Sequence, residues 1–350
     1  MKPCLGASMS PTSSMRCRLR LQSPAVRLTV CGVLLLSWVP PSLAGADGVA
    51  SVKMENDLFA GTTDGHYSNG VEASWTFVPP SGHWSRRMAH TLTGLPESEL
   101  DLAAWRFGQQ MYTPIDISRS DLVEDDRPYA GLLYGGVSLF DEQRHDSWRQ
   151  MTGVHLDVGW VGPASFAEQT QKGIHELTDS DRPEGWDHQL DFEPIVNLAM
   201  KRGWIAQRSL GALEMDVGPT AGVALGNLYT YVSAGGALRV GQGLDRSYAI
   251  PAVAPAVTGQ AWFRPGGDFA WFVFANVEGR FMAHNLLLDG NTFSDSHSVE
   301  REDWVGDAQL GLTLTWQNWQ LSLTSVYRTH EFEGQDAHDE FGSLQISWQH

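Results

Sequence analysis

The chain has 350 residues and a formal net charge of −17 at pH 7, from 24 Lys and Arg against 41 Asp and Glu. So acidic a protein does not attract nucleic acid, and it would repel the phosphates of lipopolysaccharide unless divalent cations bridge the two. All three cysteines, Cys4, Cys17 and Cys31, lie near the N-terminus. The rest of the chain therefore has no disulfide, thiolate metal site or cysteine nucleophile.

Residues 1–44 are predicted to be a secretory signal peptide. This segment has five basic residues, no acidic residue and the apolar run LTVCGVLLLSWV, and it ends in the small-x-small sequence Ser42-Leu43-Ala44. A membrane anchor would need about 18 apolar residues, and this run is shorter. The mature chain, 45–350, keeps 19 Lys and Arg against 41 Asp and Glu, a formal charge of −22, and is predicted to be a single domain.

Apolar and polar residues alternate through most of the mature chain, and this period of two predicts an all-β protein. Many of the predicted strands approach the length of about nine to eleven residues that crosses a bilayer at a tilt. The twelve predicted strands are 49–57, 68–78, 104–112, 129–140, 147–161, 188–202, 207–224, 228–241, 270–282, 303–316, 319–332 and 339–348.

Two architectures fit these strands: a soluble β-sandwich and a transmembrane antiparallel β-barrel. Strand length, the signal peptide and inner faces rich in Gly, Ser, Thr and Gln favour an outer-membrane barrel with 12 strands. Segment 256–264 is predicted to be a loop or strand extension, because a thirteenth strand would prevent the barrel ends from meeting on one side. Tryptophans near strand ends, typical of membrane interfaces, are Trp75, Trp160, Trp316 and Trp348.

One segment, GPASFAEQTQKGIHELTD, lacks this alternation and predicts a short helix within a loop. Ser165 followed by Glu168 predicts a capping box, with the helix continuing to about Leu177. Glu168, Gln171 and His175 are spaced by three and four residues, so they share one face. A lone histidine on such a helix would be an ordinary solvated residue, but the polar face that it shares with Glu168 and Gln171 makes a functional role a competing interpretation. The expected packing side consists of Phe166, Ile174 and Leu177.

Polar residues at the first two strands suggest chemistry. In ENDLF, Asn56 and Asp57 offer oxygens that a hard cation such as Ca²⁺ prefers, although such a pair is also common in turns. In HYSNG, His66 and Ser68 are two residues apart, so a regular strand would place them on one face as a base and a nucleophile. That string resembles the active-site string of the outer-membrane phospholipase A family.

The sequence DDRPYAG, residues 125–131, predicts a loop that leads into a strand. One interpretation is that Asp126 and Arg127 pair with each other at the surface. If Arg127 is buried instead, it needs a carboxylate or phosphate partner.

Together, ENDLF…DGHYSNG, DDRPYAG, GPASFAEQTQKGIHELTDSDRPEGWDHQL and LLLDGNTFSDSHSVEREDWVGD resemble the lipid A 3′-O-deacylase family of Gram-negative outer membranes. The resemblance implies a twelve-stranded barrel that hydrolyses the ester of the 3′-linked acyloxyacyl group of lipid A, with Ca²⁺, at a site facing the outer leaflet. The family's Asn-Asp pair falls on Asn56 and Asp57, and its active-site hydroxyl falls on Ser68, where Thr is commoner. Its essential histidine falls on His175, whereas His66 matches nothing that the family requires.

The resemblance also implies roles for these residues. His175 takes a proton from the water that attacks the ester, and Ca²⁺ held by Asp57 stabilises the oxyanion. Asn56 and Ser68 orient water, metal or ester by hydrogen bonds. Secondary candidates, for ordering the site or meeting sugar and phosphate groups, are Gln171, Glu168 and Arg127. Two other functions stay open: a phospholipase with Ser68 as nucleophile, and a non-enzymatic barrel or pore. The expected partners are lipid A and outer-membrane lipids, with no sign of an obligate protein partner.

Overall fold

The computed structural model describes residues 48–59, 66–93, 100–248, 253–254, 257–258 and 262–350. The predicted signal peptide, 1–44, lies outside these ranges. In the part of the chain described here, no helix is long and apolar enough to cross a membrane.

Twelve antiparallel strands form a closed barrel, in which each strand pairs with the next and the last pairs with the first. The predicted fold and strand number are confirmed. The strands are β1 Gly48–Asn56, β2 His66–Phe77, β3 Leu102–Thr113, β4 Ala130–Arg144, β5 Trp148–Val161, β6 Glu193–Leu210, β7 Leu213–Gly226, β8 Tyr229–Gln242, β9 Gly266–Asn285, β10 Trp304–Gln317, β11 Trp319–Arg328 and β12 Asp339–Gln349.

The largest error in strand position concerns β6. The sequence predicts strands at 188–202 and 207–224, but β6 starts at Glu193 and runs to Leu210. The turn lies at Gly211, whose φ of 75° a residue with a side chain rarely adopts. The preceding residues Trp186–His188 form a 3-10 turn instead of strand.

Helices and short turns occupy the connections. Segment 256–264 adds no barrel strand among its described residues, as predicted, since Val257–Thr258 pairs only with Val253–Ala254. The helices are α1 Trp84–Thr93, α2 Ala167–Thr178 and α3 Leu286–Asp289, and the 3-10 turns are Asp57–Phe59, Pro163–Ser165, Trp186–His188 and Leu244–Arg246. We call the end of the barrel at which β1 ends the upper end, and the opposite end the lower end.

The inner wall of the barrel carries buried ion pairs. Each buried guanidinium lies against one or more carboxylates, which offsets the cost of removing these charges from water. The pairs are Arg106 with Glu72 and Asp157, Arg149 with Glu142 and Asp216, Arg239 with Asp216, Arg280 with Asp307, and Arg328 with Asp307 and Glu331.

The outer wall, in contrast, is apolar and exposed. Strand positions that alternate with the charged ones carry large hydrophobic side chains, as expected of a wall in contact with lipid. These include Phe107, Val158, Val196, Leu225, Val232, Val277 and Leu310. The four predicted interface tryptophans, Trp75, Trp160, Trp316 and Trp348, lie within two residues of a strand end.

The lower mouth of the barrel is filled by the connection between β8 and β9. Arg239, on the inner wall, donates hydrogen bonds to the carbonyl oxygens of Leu244 and Ser247. Tyr248 and Trp262 pack against apolar residues of the inner wall, which are Leu102, Ala104 and Phe140.

This filling predicts that the barrel is not an open pore. The purified protein, inserted into planar lipid bilayers, is expected to give no steady conductance above that of heat-denatured protein. A stable channel would contradict this prediction and would favour the pore alternative.

Candidate active site

The predicted site residues all lie at the upper end of the barrel, but on two different sides of its wall. Asn56 and Asp57 stand at the top of β1, and Ser68 stands near the start of β2. The connection between β5 and β6 carries Glu168, Gln171 and His175 on α2, and the connection between β3 and β4 carries Arg127.

A row of paired residues crosses five neighbouring strands on the outer face of the upper end. Its members are Gly342, Asn56, Asn69, Met111 and Gly131, each the direct register partner of the next. They point outward, because residues at the alternate positions of β1, β2 and β3, namely Glu55, Glu72 and Arg106, belong to the interior ion network. At about 4.8 Å per strand, the row is about 19 Å long.

Glycines at both ends of this row allow other segments to lie flat on the wall. A side chain at Gly342 would collide with Phe59 of the first 3-10 turn. A side chain at Gly131 would collide with Ser165 and Ala167, at the start of α2. Between these two covered ends lies a stretch of wall that we call the outer strip, made of Asn56, Ser68, Asn69 and Met111.

Ser68 reaches the outer strip because β2 is irregular there. The register between β2 and β3 shifts between Tyr67 and Asn69, which makes Ser68 the extra residue of a β-bulge. Its hydroxyl lies 2.7 Å from Thr113 Oγ1, and its carbonyl oxygen accepts a hydrogen bond of 2.7 Å from Asn56 Nδ2. Asn56 and Ser68, which the sequence assigned to one site, are therefore in direct contact.

The predicted shared face of His66 and Ser68 is wrong. His66 has a φ of 63° and turns into the barrel, where it is 3% exposed. Its Nδ1 lies 2.5 Å from Asp339 Oδ1, and its Nε2 lies 3.4 Å from Asp126 Oδ1. With both ring nitrogens facing carboxylates in the interior and Ser68 on the outer strip, the two residues do not form a base–nucleophile pair.

Asp126 also holds the upper loops in place. Burial alone would raise the pKa of Asp126, but hydrogen bonds from His66 and from the backbone N–H groups of Ile115 and Arg127 lower it below its ordinary value. His66 and Asp126 therefore join the β3–β4 connection to the start of β2.

Arg127 lies inside the upper mouth, 1% exposed. Its Nη1 lies 3.3 Å from Glu331 Oε2, and its guanidinium stacks on the ring of Tyr112 at 4.6 Å. The predicted surface pair with Asp126 is wrong for the side chain, since only the backbone N–H of Arg127 bonds that carboxylate. The structure supplies the carboxylate partner that a buried arginine requires.

Helix α2 forms where the sequence predicts it, but it starts differently. The predicted capping box is wrong, because Phe166 occupies the N-cap in a left-handed conformation and no side chain caps the helix. Glu168 instead pairs with Lys172 at 2.6 Å, one turn further along. A left-handed Phe166 turns the backbone so that the helix begins at Ala167.

The predicted packing side of α2 is wrong as well. Phe166 and Leu177 are 61% and 63% exposed, whereas Ala167 and Gln171 are buried. The small side chain of Ala167 fits over Gly131, so the helix approaches the wall through this face. Hydrophobic residues on the other side of α2 are left at the surface.

Gln171 ties the helix to the outer strip through Trp186. Trp186 Nε1 donates a hydrogen bond of 2.7 Å to Gln171 Oε1, and its ring contacts Tyr129 at a centroid distance of 4.9 Å. Trp186, Met111 and Ala167 belong to one buried cluster, which joins α2 to β3. Gln171 Nε2 is buried and donates to no residue that the structure describes.

His175 lies one turn beyond Gln171 and is partly exposed. Its Nδ1 is 2.5 Å from the carbonyl oxygen of Asp181. A carbonyl oxygen can only accept, so Nδ1 carries the proton and the neutral ring has its lone pair at Nε2. This arrangement suits a general base that works through Nε2.

The residues at the top of β1 carry side-chain oxygen atoms, which are the ligands that a hard cation prefers. Asp57 is 2% exposed, and Asn56 beside it is half-buried. Asn69 Oδ1, on the same strip, is buried and accepts no hydrogen bond from the described residues, which costs about 1–3 kcal/mol unless a ligand compensates. Within the described ranges no group of three or more His, Cys, Asp or Glu is placed to hold a metal ion. Further oxygens must therefore come from amides, backbone, water or substrate.

Sequence reasoning missed three residues of this region: Asn69, Thr113 and Trp186. Asn69-Gly70 has the composition of a turn, yet both residues lie inside β2. The alternation of apolar and polar residues directly after Asn69 and Gly70 was the signal that both belong to a strand. Thr113 and Trp186 carried none, because their roles depend on partners in other segments.

These features define an outer-membrane β-barrel protein with polar groups gathered on the outer face of its wall, at the upper end. The profile of one family, described as Outer membrane protein LpxR, matches residues 28–350. The chain belongs to the LpxR family.

One solved structure of this family has the same fold. LpxR from Salmonella typhimurium matches with a TM-score of 0.71 and 16% sequence identity, covering 86% of this chain and 99% of that one. The translocator domain of the autotransporter NalP from Neisseria meningitidis has a TM-score of 0.41 at 9% identity, covering 93% and 97% of the two chains. The β domain of the Bordetella autotransporter BrkA has a TM-score of 0.42 at 11% identity, covering 87% and 98%. A comparison with curated protein sequences finds no match.

Proposed function

We propose that this protein hydrolyses the ester that joins the 3′-linked acyloxyacyl group to lipid A. The observation that carries the proposal is the outward position of Asn56, Ser68 and α2. An acyl ester of a membrane lipid can meet residues on the outer wall without leaving the bilayer. Membership of the LpxR family supports this function.

The same proposal orients the barrel. Lipid A occupies the outer leaflet, so the upper end, with its polar groups and α2, faces the cell exterior. Short connections support this orientation, because bacterial barrels have short periplasmic turns. At the lower end, three of the five connections have three residues or fewer (145–147, 211–212 and 318), against one of six at the upper end (227–228).

His175 acts as the general base in this reaction. Its Nε2 accepts a proton from the water that attacks the ester carbonyl carbon, while the Nδ1–H···O bond to Asp181 stabilises the imidazolium that forms. The proton then passes to the departing 3′-oxygen of the sugar, so the acid and the free hydroxyl are the products.

Three polar side chains orient the reactants. Asn56 and Ser68, already joined by a hydrogen bond, present amide and hydroxyl groups to the water or ester. Gln171 keeps one buried N–H group for a ligand. A Ca²⁺ ion held by Asp57 and Asn56, when bound, supplies positive charge for the carbonyl oxygen.

Mass spectrometry of lipid A tests this function. Purified protein in detergent is incubated with lipid A, once with Ca²⁺ and once with a chelator. We expect the 3′-linked acyloxyacyl mass to be lost only with Ca²⁺. Loss in both samples would contradict the cation requirement, and loss in neither would contradict the hydrolase function.

The phospholipase alternative finds little support in the geometry. It needs Ser68 to attack with His66 as its base, but the Ser68 hydroxyl is bonded to Thr113 and His66 is bonded to Asp339.

A further inference from the structure

We propose that Asn69 is a further ligand of the cation at this site, binding through its carboxamide oxygen. The proposal rests on the proposed Ca²⁺-dependent function and adds a residue to it. Asn69 is the direct register partner of Asn56, and it follows Ser68 in the chain. Its side chain therefore projects from the outer strip next to the top of β1, where Asp57 lies.

The environment of Asn69 requires a partner that the described residues do not provide. The residue is 6% exposed, and its Oδ1 is buried without a hydrogen-bond donor. By contrast, Asn56 Nδ2 and the Ser68 hydroxyl each have a hydrogen-bond partner within the protein. A carboxamide oxygen accepts either a cation or a hydrogen-bond donor. The buried carboxylate of Asp57, the residue after Asn56, makes this region negative and therefore favours the cation.

The bulge explains how the backbone produces this arrangement. The register shift between Tyr67 and Asn69 lets both Ser68 and Asn69 face outward, where a regular strand would turn one of them into the barrel. The bulge thus brings a second amide to the side of Asn56, and carboxamide oxygens are ordinary Ca²⁺ ligands.

Isothermal titration with CaCl₂ tests the proposal on the full-length barrel in detergent. Asn69→Leu removes the oxygen at similar volume, whereas Asn69→Asp keeps an oxygen at that position. The matched control is Asn318→Ala, in the lower-end turn, whose side chain bonds Gln349. We expect Asn69→Leu to weaken Ca²⁺ binding by at least about tenfold. Asn69→Asp and Asn318→Ala should bind Ca²⁺ about as tightly as the wild type.

Several results would overturn the proposal. Wild-type affinity in Asn69→Leu would do so, provided that gel mobility before and after heating shows a folded barrel. A higher KM for lipid A with unchanged Ca²⁺ affinity would show that the oxygen binds substrate instead. If the wild type binds no Ca²⁺, the proposal is wrong even where lipid A is hydrolysed. If Ca²⁺ binding depends on Asn69 but lipid A is not hydrolysed, Asn69 is a Ca²⁺ ligand and the proposed hydrolase function is wrong.

Discussion

Replacing His175 with Ala is expected to lower acyl release from lipid A by about 10²–10⁴-fold, the usual contribution of a general base. The ring is held by one hydrogen bond to the Asp181 carbonyl and lies at the surface, so its removal should leave the barrel folded. The measurement is the rate of fatty acyl release in detergent micelles, followed by mass spectrometry.

A second histidine of the same connection provides the matched control. His188 is exposed and its Nε2 contacts the Ser120 carbonyl oxygen. We expect His188→Ala to keep the wild-type rate. A His175→Ala protein with the same rate as His188→Ala would show that the base lies elsewhere.

Replacing His66 with Ala is expected to destabilise the folded barrel by about 3–5 kcal/mol, because it leaves two nearby carboxylates without their shared partner. The His66 side chain is 4% exposed and contacts Asp126 and Asp339. We expect the catalytic rate per folded molecule to stay near that of the wild type. Urea unfolding followed by tryptophan fluorescence gives the stability, and acyl release gives the rate.

The variant His66→Gln separates the contribution of side-chain packing and hydrogen bonding to stability from the contribution of the histidine charge. Gln keeps a hydrogen-bonding group of similar reach, so its loss of stability should be smaller than that of His66→Ala. If the folded His66→Ala protein were inactive and a serine-directed reagent labelled Ser68, the phospholipase alternative would be favoured instead.

The barrel was predictable from the sequence because strand patterning is local. Alternation along each strand requires only neighbouring residues, so the twelve strands, and the helix that carries His175, could be placed without tertiary information. Asn56 and Ser68 were assigned to one site through a family resemblance, and the structure joins them by a hydrogen bond. Their catalytic roles stay predictions.

The remaining errors concern contacts between distant segments. Arg127 was expected to pair with its neighbour, but its partner Glu331 is 204 positions away. The packing side of α2 was misjudged because it depends on Gly131, a residue of another element that makes room for Ala167. The opposite directions of His66 and Ser68 depend on the positive φ of His66 and on a single-residue bulge at Ser68, and period-two patterning reveals neither.

The position of the outer strip also determines how a substrate arrives. Under the proposed function, a substrate would reach residues on the outer face of the wall by lateral diffusion within one leaflet, so turnover would depend on the mole fraction of substrate in the surface and not on its bulk concentration. Adding inert detergent or phospholipid at constant lipid A would then slow the reaction by surface dilution. Both products can also leave sideways into the same leaflet, and no channel through the barrel is needed for either step.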